Sequence, residues 1–285
     1  MDKDVLLIIE EASVGFSKGQ KRIADFILSN YEKAAFMTAV KLAQKAGVSE
    51  STVVRFAAEL GYDGYPDMRR ALNEIIRSRL TSVQRIKVAK DIMDSREILP
   101  YVLSSDIEQI RLTMEETDQG DFTRAVDEIV KAKNIYILGL RSASFLANFM
   151  GFYFSLLFNN SRVINDSFTG EVFERIIRLS EGDVLIAISF PRYSRRTIRA
   201  MEYARDVGAR IIAITDCKSS PLFSLADIPL CARSDMVSFI DTLVAPLSLV
   251  NALIVAVSEK APGDLYANFE LLERIWDEYG VYEQT

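Results

Sequence analysis

Histidine is absent from the 285-residue chain. Its absence removes the usual base of a Ser-His or Cys-His pair and the commonest metal ligand together. Cysteine is scarce: Cys217 and Cys231 are the only two, their spacing fits no metal motif, and we expect both thiols to be reduced and structural. We therefore expect no metal and no cofactor, and assign no catalytic residue. The dinucleotide fingerprint G-x-G-x-x-G is missing too, which argues against a nicotinamide or flavin cofactor. Long apolar runs are lacking. Phe145–Phe158 is too short to cross a bilayer and contains Asn148, while Met236–Val257 is broken by Asp241, Pro246 and Asn251; both read as buried or interface helices. The first residues show no charged region followed by an apolar stretch and a small-residue cleavage site, so we expect no export by that route, a cytoplasmic location and no membrane partner.

What is present divides the chain. Apolar residues make up 49% of it, enough for a substantial core and, at this length, for two domains. Residues 1–90 carry 15 Lys and Arg against 11 Asp and Glu, a net +4, and residues 91–285 carry 19 against 29, a net −10. A basic head on an acidic body is the split expected when only one domain meets nucleic acid. The head is helical in pattern, with helices fitting Gln20–Ser29, Thr38–Ala46, Ser51–Leu60 and Tyr65–Leu80. A charged, still helical stretch runs from about Ser82 to Gly120. After Asp121, short apolar runs at 135–138, 161–164, 184–188, 210–215 and 228–231 alternate with helical stretches at 143–158, 171–180, 194–207 and 220–225, and two further helices fit 239–259 and 264–279. This alternation predicts a parallel sheet with helices on both faces. The expected fold class is an all-α helix-turn-helix domain followed by an α/β domain. The expected divisions are 1–77 for the helix-turn-helix, 78–120 for a helical connector, 121–262 for the α/β domain and 263–285 for a C-terminal helix.

Within the head, Thr38–Tyr62 reads TAVKLAQKAGVSESTVVRFAAELGY. Two short helices crossing steeply need a small residue at their contact, here Ala43, and an opened turn, here Gly47. Leu42, Val48, Val53 and Phe56 then face inward, and Ser49 is placed to cap the second helix. Its outward face offers Glu50, Ser51, Thr52, Arg55 and Ala58, the first turns that a recognition helix presents to the major groove. Arg55 suits a guanine edge, and Ser51 or Thr52 a phosphate or base. Lys41, Lys45, Arg69 and Arg70 are candidate phosphate contacts.

In an open α/β sheet, ligands collect at the carboxyl ends of strands, beside helix N-termini. Two such exits carry hydroxyls: ILGLRSAS, with Arg141, Ser142 and Ser144, and ISFPRYSRRT, with Ser189, Arg192, Ser194 and Thr197. Hydroxyls at helix N-termini suit a phosphate.

The stretches LAQKAGVSESTVVRFAAELGYDGY, DVLIAISFPRYSRRT and ARDVGARIIAITDCKSSPLFSLAD, in this order, resemble the RpiR-type bacterial transcription regulators. In these an N-terminal helix-turn-helix precedes a sugar isomerase (SIS) domain that binds a phosphosugar, and the resemblance covers nearly the whole chain. It implies that Ser189, Ser194 and Thr197 fall at phosphate-loop positions that usually read S-x-S-G-x-T-x-x-T. Two departures stand out. Pro191 and Arg192 replace Ser and Gly of that loop, and at the first exit, usually G-x-G-x-S, Arg141 replaces the second glycine and Ala143 the serine. Lost glycines disturb close backbone approach to phosphate, yet both glycine replacements are arginines, five-donor forks suited to anions. Either Arg141 and Arg192 reach one anionic ligand, a phosphorylated sugar acid or a sugar with two anionic groups, or they serve ion pairs at a subunit interface while Phe190, Pro191 and Tyr193 fill the pocket. Arg195, Arg196 and Arg199 oppose the dipole of the following helix and have no helix-stabilising role there.

The expected function is regulation of transcription. A homodimer or homotetramer reads a palindromic double-stranded operator, and a phosphorylated sugar or sugar acid alters that binding. A sugar-phosphate isomerase would need a base near neutral pKa, for which only glutamates such as Glu171 and Glu174 offer themselves. A ligand-independent oligomeric DNA-binding protein is the third reading.

Overall fold

The computed structural model describes residues 4–79, 81, 83, 84, 86, 87, 90, 98–165, 172–236, 240–261 and 265–282. Glu171 and much of the expected connector between Ser82 and Arg96 lie outside the described residues. The chain sorts into two compact units, Met1–Asp106 with Asp235–Thr242, and Ile107–Ser234 with Leu243–Thr285. This grouping cuts across the contiguous divisions suggested by the sequence, because a short segment after the last strand shares the head's core: Met236, 4% exposed, counts among its buried apolar residues.

The head is built from α1 (Val5–Ala12), α2 (Lys18–Ala34), α3 (Ala39–Ala46), α4 (Glu50–Glu59) and α5 (Gly64–Arg79). Helix α1 had no sequence signal strong enough to single it out, yet Asp4 caps it and Val5 and Ile9 bury its inner side. Helix α2 starts in a capping box, the Ser17 amide donating to Gln20 Oε1 at 2.7 Å and the Gln20 amide to Ser17 Oγ at 3.4 Å, which satisfies two of the donors that a helix start leaves open. Ile23, Ile27, Leu42, Val53, Phe56, Met68 and Leu72 are all fully buried, each contributing roughly 1.5–3 kcal/mol relative to exposure.

The second unit holds a sheet of β1 (Ile135–Gly139), β2 (Ser161–Ile164), β3 (Val184–Ile188), β4 (Arg210–Thr215) and β5 (Ile228–Cys231). All neighbours are parallel, in the order β2-β1-β3-β4-β5. Every residue of β1 and β3 is buried, so these strands read as unbroken apolar runs rather than alternating ones. Side chains still alternate between layers. Ile135, Ile137, Val184, Ile186 and Ile188 face a core shared with α7 (Gln119–Lys131), α8 (Ala143–Leu157) and α11 (Val244–Lys260). Tyr136, Leu138, Leu185 and Ala187 face α9 (Val172–Ile176) and α10 (Arg195–Asp206). Helix α6 (Ile98–Glu116) precedes the sheet, and α12 (Leu265–Glu278) is the last helix described. Among the described residues, no helix is long and apolar enough to cross a membrane. The strand order reverses direction between β1 and β3, and a crevice outside the carboxyl ends of those two strands is where a doubly wound sheet takes its ligand.

Candidate functional site

In the head, Gly47 terminates α3 at φ +65°, a left-handed conformation that glycine adopts without steric cost. Ala43 and Leu42 are buried behind it. Ser49 caps α4, its Oγ accepting from the Thr52 amide at 3.3 Å. The hydroxyls of Ser51 and Thr52 lie 2.9 and 2.8 Å from the same oxygen, so all three are tied together. Glu50, Ser51, Arg55 and Ala58 are exposed and Thr52 is half-buried, with Val53, Phe56 and Ala57 on the opposite, buried side. Arg55 folds back along α4 and donates from Nε to the Ser51 carbonyl at 3.3 Å. Lys41 is half-buried and Lys45 exposed. Arg69 does not join this surface. Its side chain is 11% exposed and paired with Asp235 at 3.4 Å, so it is a core cation and not a phosphate contact. Arg70 is paired with Asp67 at 2.7 Å.

At the carboxyl end of β3, Ser189 is 5% exposed and its Oγ accepts from the Ser194 amide at 3.2 Å. Ser194 caps α10 by accepting from the Thr197 amide at 3.4 Å. Thr197 is fully buried, and its hydroxyl has no hydrogen-bond partner among the described residues. A buried hydroxyl left so costs about 1–3 kcal/mol. Ser189, Ser194 and Thr197 thus all stand at the junction of β3 and the start of α10, where hydroxyls beside a helix N-terminus suit an anion. The Tyr193 hydroxyl donates to Asp216 at 2.8 Å, and Phe190 is 7% exposed. Arg192, Arg195 and Arg196 are exposed, and no ion pair of theirs is found among the described residues.

At the neighbouring exit, Gly139 pairs in register with Ile188. A Cβ on Gly139 would come within 2.5 Å of the Ala143 carbonyl oxygen, so this glycine lets α8 start tight against the strand. Arg141 holds φ +56°, the one positive value outside glycine among the described residues. The arginine replaces glycine in sequence and keeps a glycine-like backbone, at roughly 1–2 kcal/mol. Ser144 donates from Oγ to the Arg141 carbonyl at 2.5 Å; Ser142, exposed, stands at the start of α8 without a side-chain cap bond. The structure thus brings the residues of both exits to the ends of two adjacent strands.

Two further features of this unit are not part of this set. Burial, followed by the neighbouring Cys217 and Asp216, pushes the Cys231 thiol up to about 12, so it stays protonated and is no nucleophile at neutral pH. A cleft of about 450 Å³ opens at the amino ends of β3 and β4. Its Arg210 is already paired with Asp227 at 2.9 Å and Glu128 at 3.4 Å, and its other cations, Lys131 and Arg205, share the lining with Glu181 and Asp183.

Comparison with known proteins gives this arrangement a context. A model of the helix-turn-helix domain of the rpiR family matches residues 3–79, and a SIS domain model matches residues 128–256. The chain belongs to the RpiR family. It is an RpiR-type helix-turn-helix transcription regulator with a SIS domain. An uncharacterised HTH-type transcriptional regulator of Clostridium perfringens is 26% identical over 231 residues, 81% of this chain and 82% of that protein. The sugar isomerase domain of an RpiR transcription factor from Sphaerobacter thermophilus superposes with a TM-score of 0.59 at 25% identity, covering 62% of this chain and 99% of that one. NanR of Vibrio vulnificus, in complex with ManNAc-6P, has a TM-score of 0.55 at 22% identity over 96% of this chain and 98% of its own. The RpiR family relationship accounts for the two-part pattern of a basic helical head and a parallel-sheet body.

Proposed function

We propose that the SIS domain of this regulator senses a phosphorylated sugar or sugar acid at the exits of β1 and β3, and that the bound effector alters operator affinity. The observation that carries this reading is the buried, unpartnered Thr197 hydroxyl beside Ser189 and Ser194 at the start of α10. A phosphate there supplies the acceptor that the hydroxyl lacks and meets the positive end of a helix. The complex of Vibrio vulnificus NanR with ManNAc-6P is a precedent on the same fold. Arg141, held in a strained backbone conformation, and the exposed Arg192 support a ligand with a second anionic group; strain at a strand exit points toward function. Ser142 and Ser144 complete the proposed ligand set.

In the head, Lys41, Ser49, Glu50, Ser51, Thr52 and Arg55 form the proposed DNA surface. Residues 1–77 act as the DNA-binding domain, 78–120 as connector, 121–262 as sensor and 263–285 as a terminal helix. A homodimer or homotetramer in the cytoplasm pairs two heads on a palindromic site, and by linkage DNA changes effector affinity by the same factor that effector changes DNA affinity. No turnover and no cofactor enter the proposal. Calorimetric titration of the purified protein with a panel of hexose and hexosamine 6-phosphates and phosphorylated sugar acids tests it. We expect one class to bind and Arg192→Ala to weaken a doubly anionic member more than a singly anionic one; no binding by any member, together with turnover of an aldose or ketose phosphate, points to the isomerase reading.

A further inference from the structure

The segment Asp235–Thr242 follows β5 in sequence but belongs to the head's compact unit. It is closed on itself by a bridge between Met236 and Asp241 and by the Thr242 amide donating to the Asp235 carbonyl at 3.3 Å. Met236 enters the head's apolar core, and Thr242 Oγ1 donates to Asp106 at 2.7 Å. Asp235, 4% exposed, meets the guanidinium of Arg69 on α5. Burial works against the charge of Arg69, but Asp235, followed by Tyr101 and Tyr65, more than offsets it and holds its pKa above the ordinary value. Removing one partner of such a pair leaves an uncompensated buried charge.

Arg69 sits where it can influence the recognition helix. Helix α5 packs on α4. The phenols whose fields act on Arg69 hold the residues leading into α3: Tyr65 donates to the Met37 carbonyl at 2.9 Å, and Tyr101 to the Phe36 carbonyl at 2.6 Å. Toward its N-terminal end, the segment hangs from the same strand end as the phosphate loop. The Ala232 amide donates to the Thr215 carbonyl at 2.8 Å, and the Ser189 amide to the Ile214 carbonyl at 3.1 Å. Arg233, between Ala232 and Asp235 in sequence, is clamped to α6: its amide donates to Thr113 Oγ1 at 2.9 Å and its Nε to Glu116 at 2.8 Å. Few soft links therefore separate Ser189 from Asp235. The head also has polar capacity in reserve. Arg69 Nε and both amide atoms of Asn73, one turn along α5, are buried without a hydrogen-bond partner among the described residues, so they are open to bonds in a second arrangement.

We propose that Asp235–Thr242 is a relay segment, with Asp235 and Arg69 as positioning residues through which the state of the Ser189–Thr197 loop sets the pose and local stability of α4 and α5. This rests on the reading of the chain as an effector-responsive regulator. The relay needs no new contact with DNA or effector; it needs a bistable element that both sites bias.

Hydrogen exchange on the full chain, followed by mass spectrometry, tests it without knowledge of the effector. Asp235→Asn and Arg69→Gln should each speed amide exchange across residues 50–79 by about tenfold or more, within the range of typical coupling factors, and leave β1 and β3 unchanged. Ser194→Asp keeps a good helix cap and puts a carboxylate in the loop. It should alter exchange in residues 50–79 in the native background and lose that effect in the Asp235→Asn background. Single variants within about twofold of the native chain, or a Ser194→Asp effect that is absent or equal in both backgrounds, overturn the relay. Duplexes selected from a random library by the native chain add a second arm, in which the single variants should bind about tenfold more weakly. If the native chain selects no duplex, the regulator reading fails, while the exchange arm still decides the relay.

Discussion

Two helices of this protein begin with the same local pattern, a capping serine and a threonine three residues on: Ser49 and Thr52 at α4, Ser194 and Thr197 at α10. In both, the serine hydroxyl accepts from the threonine amide, at 3.3 Å in α4 and 3.4 Å in α10. Their threonine hydroxyls differ. Thr52 is half-buried and bonded to Ser49 at 2.8 Å, whereas Thr197 is fully buried and its hydroxyl has no partner among the described residues. Local sequence sets the cap, and tertiary burial sets what the cap is for. A surface helix start is satisfied by its own side chains and is suited to trade those bonds for a polymer that presents many phosphates. A buried start with one hydroxyl left open fits the proposed role, in which a small anion fills it.

The largest effect should come from closing that difference. Thr197→Val keeps the shape and deletes the hydroxyl. If the hydroxyl serves a bound anion, the tightest ligand of the phosphosugar panel should lose about 10–100-fold in affinity, the worth of a hydrogen bond to a charged group. The free protein should meanwhile unfold at a slightly higher temperature, because an unpaired buried group is gone. The matching change, Thr52→Val, removes a bond already made and should give no such gain. Calorimetric titration and thermal melts of both variants check the contrast; equal behaviour of the two would erase it.

Next in size is the surface helix. Arg55→Ala should weaken binding of a selected duplex by about tenfold, with discrimination lost at one base position. Lys45→Ala should lower affinity for all sequences and flatten the dependence on salt. Fluorescence anisotropy across a salt series separates the two. The Arg55 contact with the Ser51 carbonyl, at 3.3 Å, is a long, solvent-exposed bond that such an encounter displaces at small cost.

How much of this was legible beforehand depended on how local the cause was. Gly47 and Ala43 announced the helix-turn-helix because a left-handed turn and a tight crossing admit few other residues, and the structure holds Gly47 at φ +65°. The five runs became the five strands of a parallel sheet, and the signal was strongest in β1 and β3, which are buried throughout and so need apolar residues at every position. Causes at long range left no such mark. Arg69, adjacent to Arg70 on a basic head, read as a phosphate contact; its partner Asp235 lies 166 positions away, and nothing near Arg69 betrays it. Asp235–Thr242 is short and has no period of its own, so its place in the head's core was not readable. Helix α1 is a single stretch of eight residues whose apolar positions run nearly all round, too uniform to show a face. The hydroxyls at the exit of β3 were visible in sequence, but the burial that leaves Thr197 without a partner among the described residues was not.

The caps themselves allow a finer test. Ser49→Ala and Ser194→Ala should each cost about 1 kcal/mol, since each serine satisfies one open amide of its helix. An aspartate should restore α4 fully, because it caps as well as serine and meets the positive end of the helix. At α10 it should restore stability while depressing anion binding, since its charge would repel the anion proposed to bind there. Denaturant melts give the first quantity and ligand titration the second, so structural and ligand roles of one serine separate.

The smallest effect concerns the neighbouring exit, and there stability and function should move in opposite directions. Arg141 sits at φ +56°, where a side chain costs roughly 1–2 kcal/mol. Glycine removes that cost but regains backbone freedom in the unfolded chain, so Arg141→Gly should stabilise the fold by only about 0.5–1 kcal/mol. Arg141→Ala removes the guanidinium and keeps the strain, so it should not stabilise. If the arginine is kept for a second anionic group, both variants should weaken a doubly charged phosphosugar acid and spare a singly charged hexose phosphate. Glycine alone should raise the melting temperature. An arginine kept instead for ion pairs between subunits would show the reverse pattern, with ligand affinities unchanged and a shift in the sedimentation-derived assembly constant. Ligand titration, melting and sedimentation on the same two variants therefore tell a charge reader from an interface residue at one position.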